Sequence, residues 1–178
     1  MKADGQAPVL ALIGLRCAGK TTVGRALATR TGARFVDLDE VVALKAGVHS
    51  PGEALCSLGL ERFRDLEEQA LVQVLDSAEG PTVLATGGGT VERVACRERL
   101  AGGATIAWLK APLAVLRRRM LEDEETSRPR ITGRDEEEFI SLERRRGPWF
   151  AALANEILEV GERGPDELAL ELERLWDR

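Results

Sequence analysis

Two textures alternate along the chain: short apolar runs that close on glycine or acidic residues, and longer stretches with helical spacing. Residues 8–14 (PVLALIG) are apolar throughout and end in glycine, which predicts a strand buried on both faces. Residues 20–30 have helical spacing and stop near Thr31-Gly32, where glycine suits a helix end. Residues 34–39 (RFVDLD) read as a second strand. At 50–53 (SPGE) a serine cap, a proline at the first helical position and a glutamate three residues after the cap start a helix, and 60–78 form a longer one. Residues 82–89 (TVLATGGG) predict a third strand running into glycines, followed by a helix over roughly 91–101. Residues 104–111 (ATIAWLKA) predict a fourth strand, and Pro112 opens another helix. Residues 122–133 (EDEETSRPRITG) lack periodicity and read as a loop. Asp135 with Glu138 caps a helix to about Ala154, 156–160 (EILEV) is a fifth strand, and GPDE begins the last helix.

Strand and helix alternate throughout, which predicts an α/β fold: a parallel sheet covered by helices on both faces. Ligands in such sheets sit beyond the carboxyl ends of the strands. Residues 14–21, 37–39 and 87–89 all fall there, independently of any single motif.

Length and composition narrow the class. At 178 residues and 44% hydrophobic, the chain suggests a single domain over 1–178 with a real core. Aromatics make up 4% with no Tyr, so that core is mostly Leu, Val and Ala. A net charge of -5 argues against nucleic-acid and anionic-membrane partners. No apolar run reaches the length of a membrane span, and MKADGQAP has no apolar segment behind its lysine, so a cytoplasmic protein is expected. Cys17, Cys56 and Cys96 are far apart and odd in number, which argues for reduced thiols. The single His49 rules out a histidine-rich metal site and reads as a solvated loop residue.

The chemistry is concentrated at the strand ends. Gly14, Gly19, Lys20 and Thr21 satisfy G-x-x-x-x-G-K-[ST] between a buried strand and a helix, with Cys17, Ala18 and Thr22 completing the loop. Backbone N–H groups there can wrap phosphate, Lys20 can reach the β- and γ-phosphates, and the Thr21 hydroxyl can ligate Mg²⁺. Cys17 near a helix N-terminus invites a lowered thiol pKa, but a small side chain filling a tolerated loop position is the simpler reading. Read as a strand, 34–39 puts Asp37 and Asp39 on the same side, one to orient Mg²⁺ through water and the other to take a substrate hydroxyl's proton. Gly87, Gly88 and Gly89 allow close backbone approach to a ligand. Arg64 and Arg146 suit a carboxylate, and Arg128 in the aperiodic stretch suits a transition-state clamp. Together these imply phosphoryl transfer to a small, hydroxylated, carboxylated molecule, with a ring acid and an open-chain sugar acid both open.

The ordered motifs resemble those of the shikimate kinases, within the nucleoside-monophosphate-kinase-like P-loop group. GLRCAGKTTVGRALA, FVDLDE, GLERFRDLE, LATGGGTV, SRPRITG and ERRRGPWF occur in the family's order from about Val9 to Val160. The resemblance implies a three-layer α/β/α sandwich on a five-stranded parallel sheet, with a small substrate-binding helical region (about 37–67), a mobile lid (about 122–134) and a monomeric state. It implies ATP-dependent, Mg²⁺-assisted phosphorylation of the shikimate 3-hydroxyl for aromatic amino-acid synthesis. By position, Lys20 would hold the phosphates, Thr21 and Asp37 the metal, and Asp39 the ring hydroxyls as base. Arg64, Arg146 and Gly87–Gly89 would complete the acceptor site, Arg128 would close over the phosphates, and Arg118 would lie against adenine. Departures are Cys17 for a loop glycine, Leu60 for a glutamate, Trp149-Phe150 for Leu-Tyr, and the added Arg130. The competing readings are a kinase for another carboxylated polyol such as gluconate, and a non-catalytic small-acid sensor; the sensor would ordinarily lack Lys20 or the carboxylates, which this chain keeps.

Overall fold

The computed structural model describes residues 9–122 and 135–176. Five strands form one sheet: β1 (Val9–Ile13), β2 (Arg34–Asp37), β3 (Thr82–Ala85), β4 (Thr105–Lys110) and β5 (Glu156–Glu159). Their order is β2-β3-β1-β4-β5 and every pairing is parallel. Among the described residues, the α-helices are α1 (Lys20–Thr31), α2 (Leu38–Lys45), α3 (Pro51–Asp76), α4 (Val94–Gly103), α5 (Leu113–Glu122) and α6 (Asp135–Leu153) between strands, and α7 (Pro165–Trp176) after β5. Central β1 and β3 are buried residue by residue, as a sheet covered on both faces requires. Leu12, Ile13, Leu84, Ile106 and Leu109 from the strands meet Leu27, Leu71 and Leu100 from the helices in one core. Phe150, at one of the family-departure positions, is fully buried and packs on Trp108 at 5.6 Å between ring centroids.

Two expectations need correction. The second strand stops at Asp37, and Leu38 begins a helix absent from the pattern reading. The cause is local: the Asp37 side chain accepts a hydrogen bond from Asp39 N at 3.0 Å, so Asp37 caps α2 instead of extending the strand. Asp39 therefore lies in a helix's first turn, and strand alternation is not what orients it. The helix over roughly 91–101 divides into a 3₁₀ turn (Thr90–Glu92) and α4. Elsewhere the caps match: Ser50 accepts from Glu53 N at 3.1 Å at the start of α3, and Gly32 takes φ 72 beyond α1. The two helices expected from residues 50 and 60 form the continuous α3, kinked where Gly59 has φ 75.

The loops after β1 and β3 leave neighbouring strands at the same sheet edge, since β1 and β3 pair in register from Val9–Thr82 to Leu12–Ala85. β2 ends beside β3, with Asp37 opposite Ala85. The three candidate segments thus share one rim.

Candidate active site

The loop after β1 carries the donor half. Gly14 has φ 143, and a Cβ there would lie 2.6 Å from Leu109 O, so this position admits no side chain. Gly19 has φ 94 at the start of α1. Among the described residues, Cys17 is the non-glycine residue with positive φ, at 62°, which explains physically why glycine suits that place. Lys20 is buried and folds back over the loop, donating to Gly14 O at 2.9 Å and Leu15 O at 2.8 Å. Ala18 is buried beneath the loop and Thr22 faces outward.

Thr21 Oγ1 donates to Asp37 Oδ2 at 2.7 Å, and Asp37 Oδ1 accepts from Asp39 N at 3.0 Å. A chain of two hydrogen bonds thus runs from the phosphate loop to Asp39. Among the described residues no cluster of three His, Cys, Asp or Glu could cage a metal. Mg²⁺ is ordinarily held through one or two protein oxygens plus substrate phosphates and waters, and the paired Thr21 hydroxyl and Asp37 carboxylate fit that donor set.

The acceptor half is built around Gly87–Gly89, all three buried. A Cβ on Gly87 would lie 2.8 Å from Asp39 Oδ1 and 3.1 Å from Thr90 Oγ1, and would collide with Glu67 Oε1. A Cβ on Gly89 would collide with the Arg64 guanidinium, and one on Gly88 would lie 3.1 Å from Arg16 N. Gly87 and Gly89 keep their backbone against charged side chains, and Gly88 keeps its own against the backbone of the phosphate loop; they are not a loose turn. Arg64 Nη1 donates to Glu67 Oε2 at 2.6 Å, and Thr90 Oγ1 donates to Glu67 Oε1 at 2.5 Å. Burial pushes the Glu67 carboxyl above its ordinary range, against the lowering effect of Arg64 and the Thr90 bond. Arg146 Nη1 donates to Gly88 O at 3.1 Å, and its Nε donates to Glu92 Oε1 at 3.0 Å.

Asp37, Asp39, Arg64, Gly87–Gly89 and Arg146 therefore gather beside the phosphate loop. Arg118 instead lies on α5 with its guanidinium bonded to Glu162 at 3.0 and 2.7 Å, while the next residue, Arg119, reaches the loop and donates to Cys17 O at 3.3 Å. Arg128, Arg130 and all of the stretch expected as a lid (about 122–134) except Glu122, which ends α5, lie outside the described residues. Glu67, Glu92 and Arg16 enter the site without having been singled out from sequence. The Arg64-x-x-Glu67 spacing, one helical turn, was the available signal for Glu67. Arg16 reaches from the phosphate loop to both flanking helices, with its guanidinium 3.1 Å from Glu138 and 3.3 Å from Met120 Sδ.

The family model for shikimate kinase matches residues 16–175. A shikimate kinase of Nitrobacter winogradskyi is 46% identical over 111 residues, covering 62% of this chain and 50% of that protein. One of Paracidovorax citrulli is 36% identical over 160 residues, covering 89% of this chain and 85% of its own. Among solved structures, a shikimate kinase of Acinetobacter baumannii in complex with shikimate superposes with TM-score 0.87 at 28% identity, covering 96% of this chain and 93% of the other.

Proposed function

The chain belongs to the shikimate kinase family, and we propose that it transfers the γ-phosphoryl group of ATP to the 3-hydroxyl of shikimate. The observation that carries this reading is the hydrogen-bond chain from Thr21 through Asp37 to Asp39. It ties a phosphate-binding loop to a carboxylate at the glycine-lined corner, so donor and acceptor sites are neighbours.

The residue roles follow from placement. Lys20 balances phosphate charge at the loop mouth, and the α1 N-terminus directs its backbone N–H groups there. Thr21 and Asp37 would hold Mg²⁺, which when bound neutralises charge developing on the phosphates. Asp39 orients the acceptor hydroxyl and takes its proton as the oxygen attacks phosphorus. Arg64 and Arg146 receive the substrate carboxylate, and Gly87–Gly89 let the ring approach the backbone. Arg128 is assigned to the developing phosphoryl charge, and Arg118 to adenine, both from the family resemblance. The reading extends to a cytoplasmic monomer without nucleic-acid or membrane partners. The net charge of -5 and three separate free cysteines support the partner and compartment parts of that reading, and the monomer rests on the family resemblance.

The test is ADP release with ATP and Mg²⁺ in the presence of shikimate or gluconate. Turnover dependent on shikimate, and reduced about 100-fold or more in Asp39→Asn, is expected. Release with gluconate alone would replace shikimate with an open-chain acid, and an undiminished Asp39→Asn would remove the base assigned here.

A further inference from the structure

The arginines of the acceptor corner already hold a carboxylate. Glu92 ends the 3₁₀ turn that follows the glycine triplet. Its Oε1 accepts from Arg146 Nε at 3.0 Å and lies 2.9 Å from Arg146 Nη2. Its Oε2 faces Arg64 Nη2 at 3.4 Å, and Arg145 bonds the same carboxylate. Two oxygens set between two guanidinium groups is the arrangement an incoming carboxylate would adopt.

The other contacts of these arginines are fixed. Arg146 Nη1 is spent on the backbone carbonyl of Gly88, and Arg64 Nη1 on Glu67, which is 1% exposed. The Glu92 side chain is 21% exposed, so it is the partner that can swing aside. Burial works against its charge, yet Arg146, Arg64 and Arg145 together hold its carboxyl below the ordinary range, so it is an anion at neutral pH.

We propose that Glu92 is a specificity-determining residue that competes with the substrate carboxylate for Arg64 and Arg146 and so weakens this chain's hold on its acceptor. The proposal rests on the functional reading above, which assigns those arginines to that carboxylate. A shikimate carboxylate binds by displacing Glu92 toward solvent, and the arginines stay oriented meanwhile by Gly88 and Glu67. A purely supporting Glu92 predicts the opposite: its loss would loosen the arginines and weaken binding.

Calorimetric titration with shikimate and steady-state kinetics on wild type, Glu92→Gln and Glu92→Ala decide between them. In both variants the Kd and KM for shikimate should fall roughly threefold to tenfold, the size expected for removing one competing carboxylate that is itself partly open to solvent. The KM for ATP and kcat should stay within about twofold. Glu92→Asp, with the charge on a shorter arm, should lie between wild type and Glu92→Gln. Gln keeps the shape of the side chain, so it decides the matter even if Ala disturbs folding. Kd unchanged or raised in Glu92→Gln overturns the competition while leaving the function intact. Shikimate failing to bind wild type and variants alike would sink the functional reading, and this inference with it.

Discussion

Replacing Glu67 removes the buried anchor of one substrate arginine. The carboxylate is 1% exposed and holds Arg64 at 2.6 Å and Thr90 at 2.5 Å. Glu67→Ala leaves the Arg64 guanidinium, whose side chain is 13% exposed, without its nearer partner. Stripping one member of a buried pair typically costs about 3–5 kcal/mol. Arg64 keeps Glu92 at 3.4 Å, so the lower end, about 3 kcal/mol, is expected. Glu67→Gln resembles the protonated carboxyl, retains an acceptor for Thr90, and should cost about 1 kcal/mol. The pH dependence has a definite sign. Because burial raises the Glu67 pKa in the fold above 4.5, the folded chain holds that proton more tightly than the unfolded one. The resulting stability is fully present below pH 4.5 and is lost as pH rises through the folded pKa, a slope Glu67→Gln abolishes. Urea unfolding followed by tryptophan fluorescence measures all three quantities, and shikimate KM should rise about tenfold in Glu67→Ala as Arg64 loses its anchor. An Ala variant within about 0.5 kcal/mol of wild type, or a Gln variant as damaging as Ala, would refute this account of the corner.

Other consequences can be measured alongside. Gly87→Ala drives a methyl into Asp39 and Glu67 and should lower kcat/KM for shikimate about 100-fold; a change under threefold would mean the corner tolerates the displacement. Arg16→Met strands Glu138, which is 9% exposed, and should lower stability by about 3 kcal/mol, whereas Glu138→Gln should cost about 1; equal urea midpoints for Arg16→Met and wild type would contradict the pairing. Burial, with Glu67 and Glu68 adding, pushes the Cys96 thiol up to about 12. Iodoacetamide at pH 8 should therefore label exposed Cys56 well before Cys96, as mass spectrometry would show, and the reverse order would contradict the burial.

Much of this site was legible because its signals are local. The phosphate loop is one motif of eight residues between a strand and a helix, and each glycine in it answers a backbone requirement at its own position. Caps at Ser50 and Gly32 were equally readable, since a cap concerns one turn. Asp37 and Asp39 lie near each other for a reason other than the expected strand alternation: the F-x-D-x-D pattern fits a strand, but an aspartate that captures the N–H two residues on ends it. Glu92 and Arg16 were not legible, because their roles come from partners far along the chain. Arg146 lies 54 residues from Glu92, and Glu138 contacts the loop residue Arg16 from α6. Nothing in local periodicity separates such a glutamate from a solvated one. Cys17, which stands out in the sequence as a substitute in a glycine loop, proves to be a backbone matter: it takes the left-handed conformation that glycine would take more easily.

The central claim is that a hydroxyl of shikimate receives the phosphoryl group. Phosphorus NMR of a mixture of this protein, ATP, Mg²⁺ and shikimate tests it without intermediaries. A new phosphate-ester resonance coupled to the proton at carbon 3 of the shikimate ring is predicted, growing in step with ADP and absent without shikimate. ADP accompanied by inorganic phosphate alone, or an ester at a different hydroxyl, would contradict it.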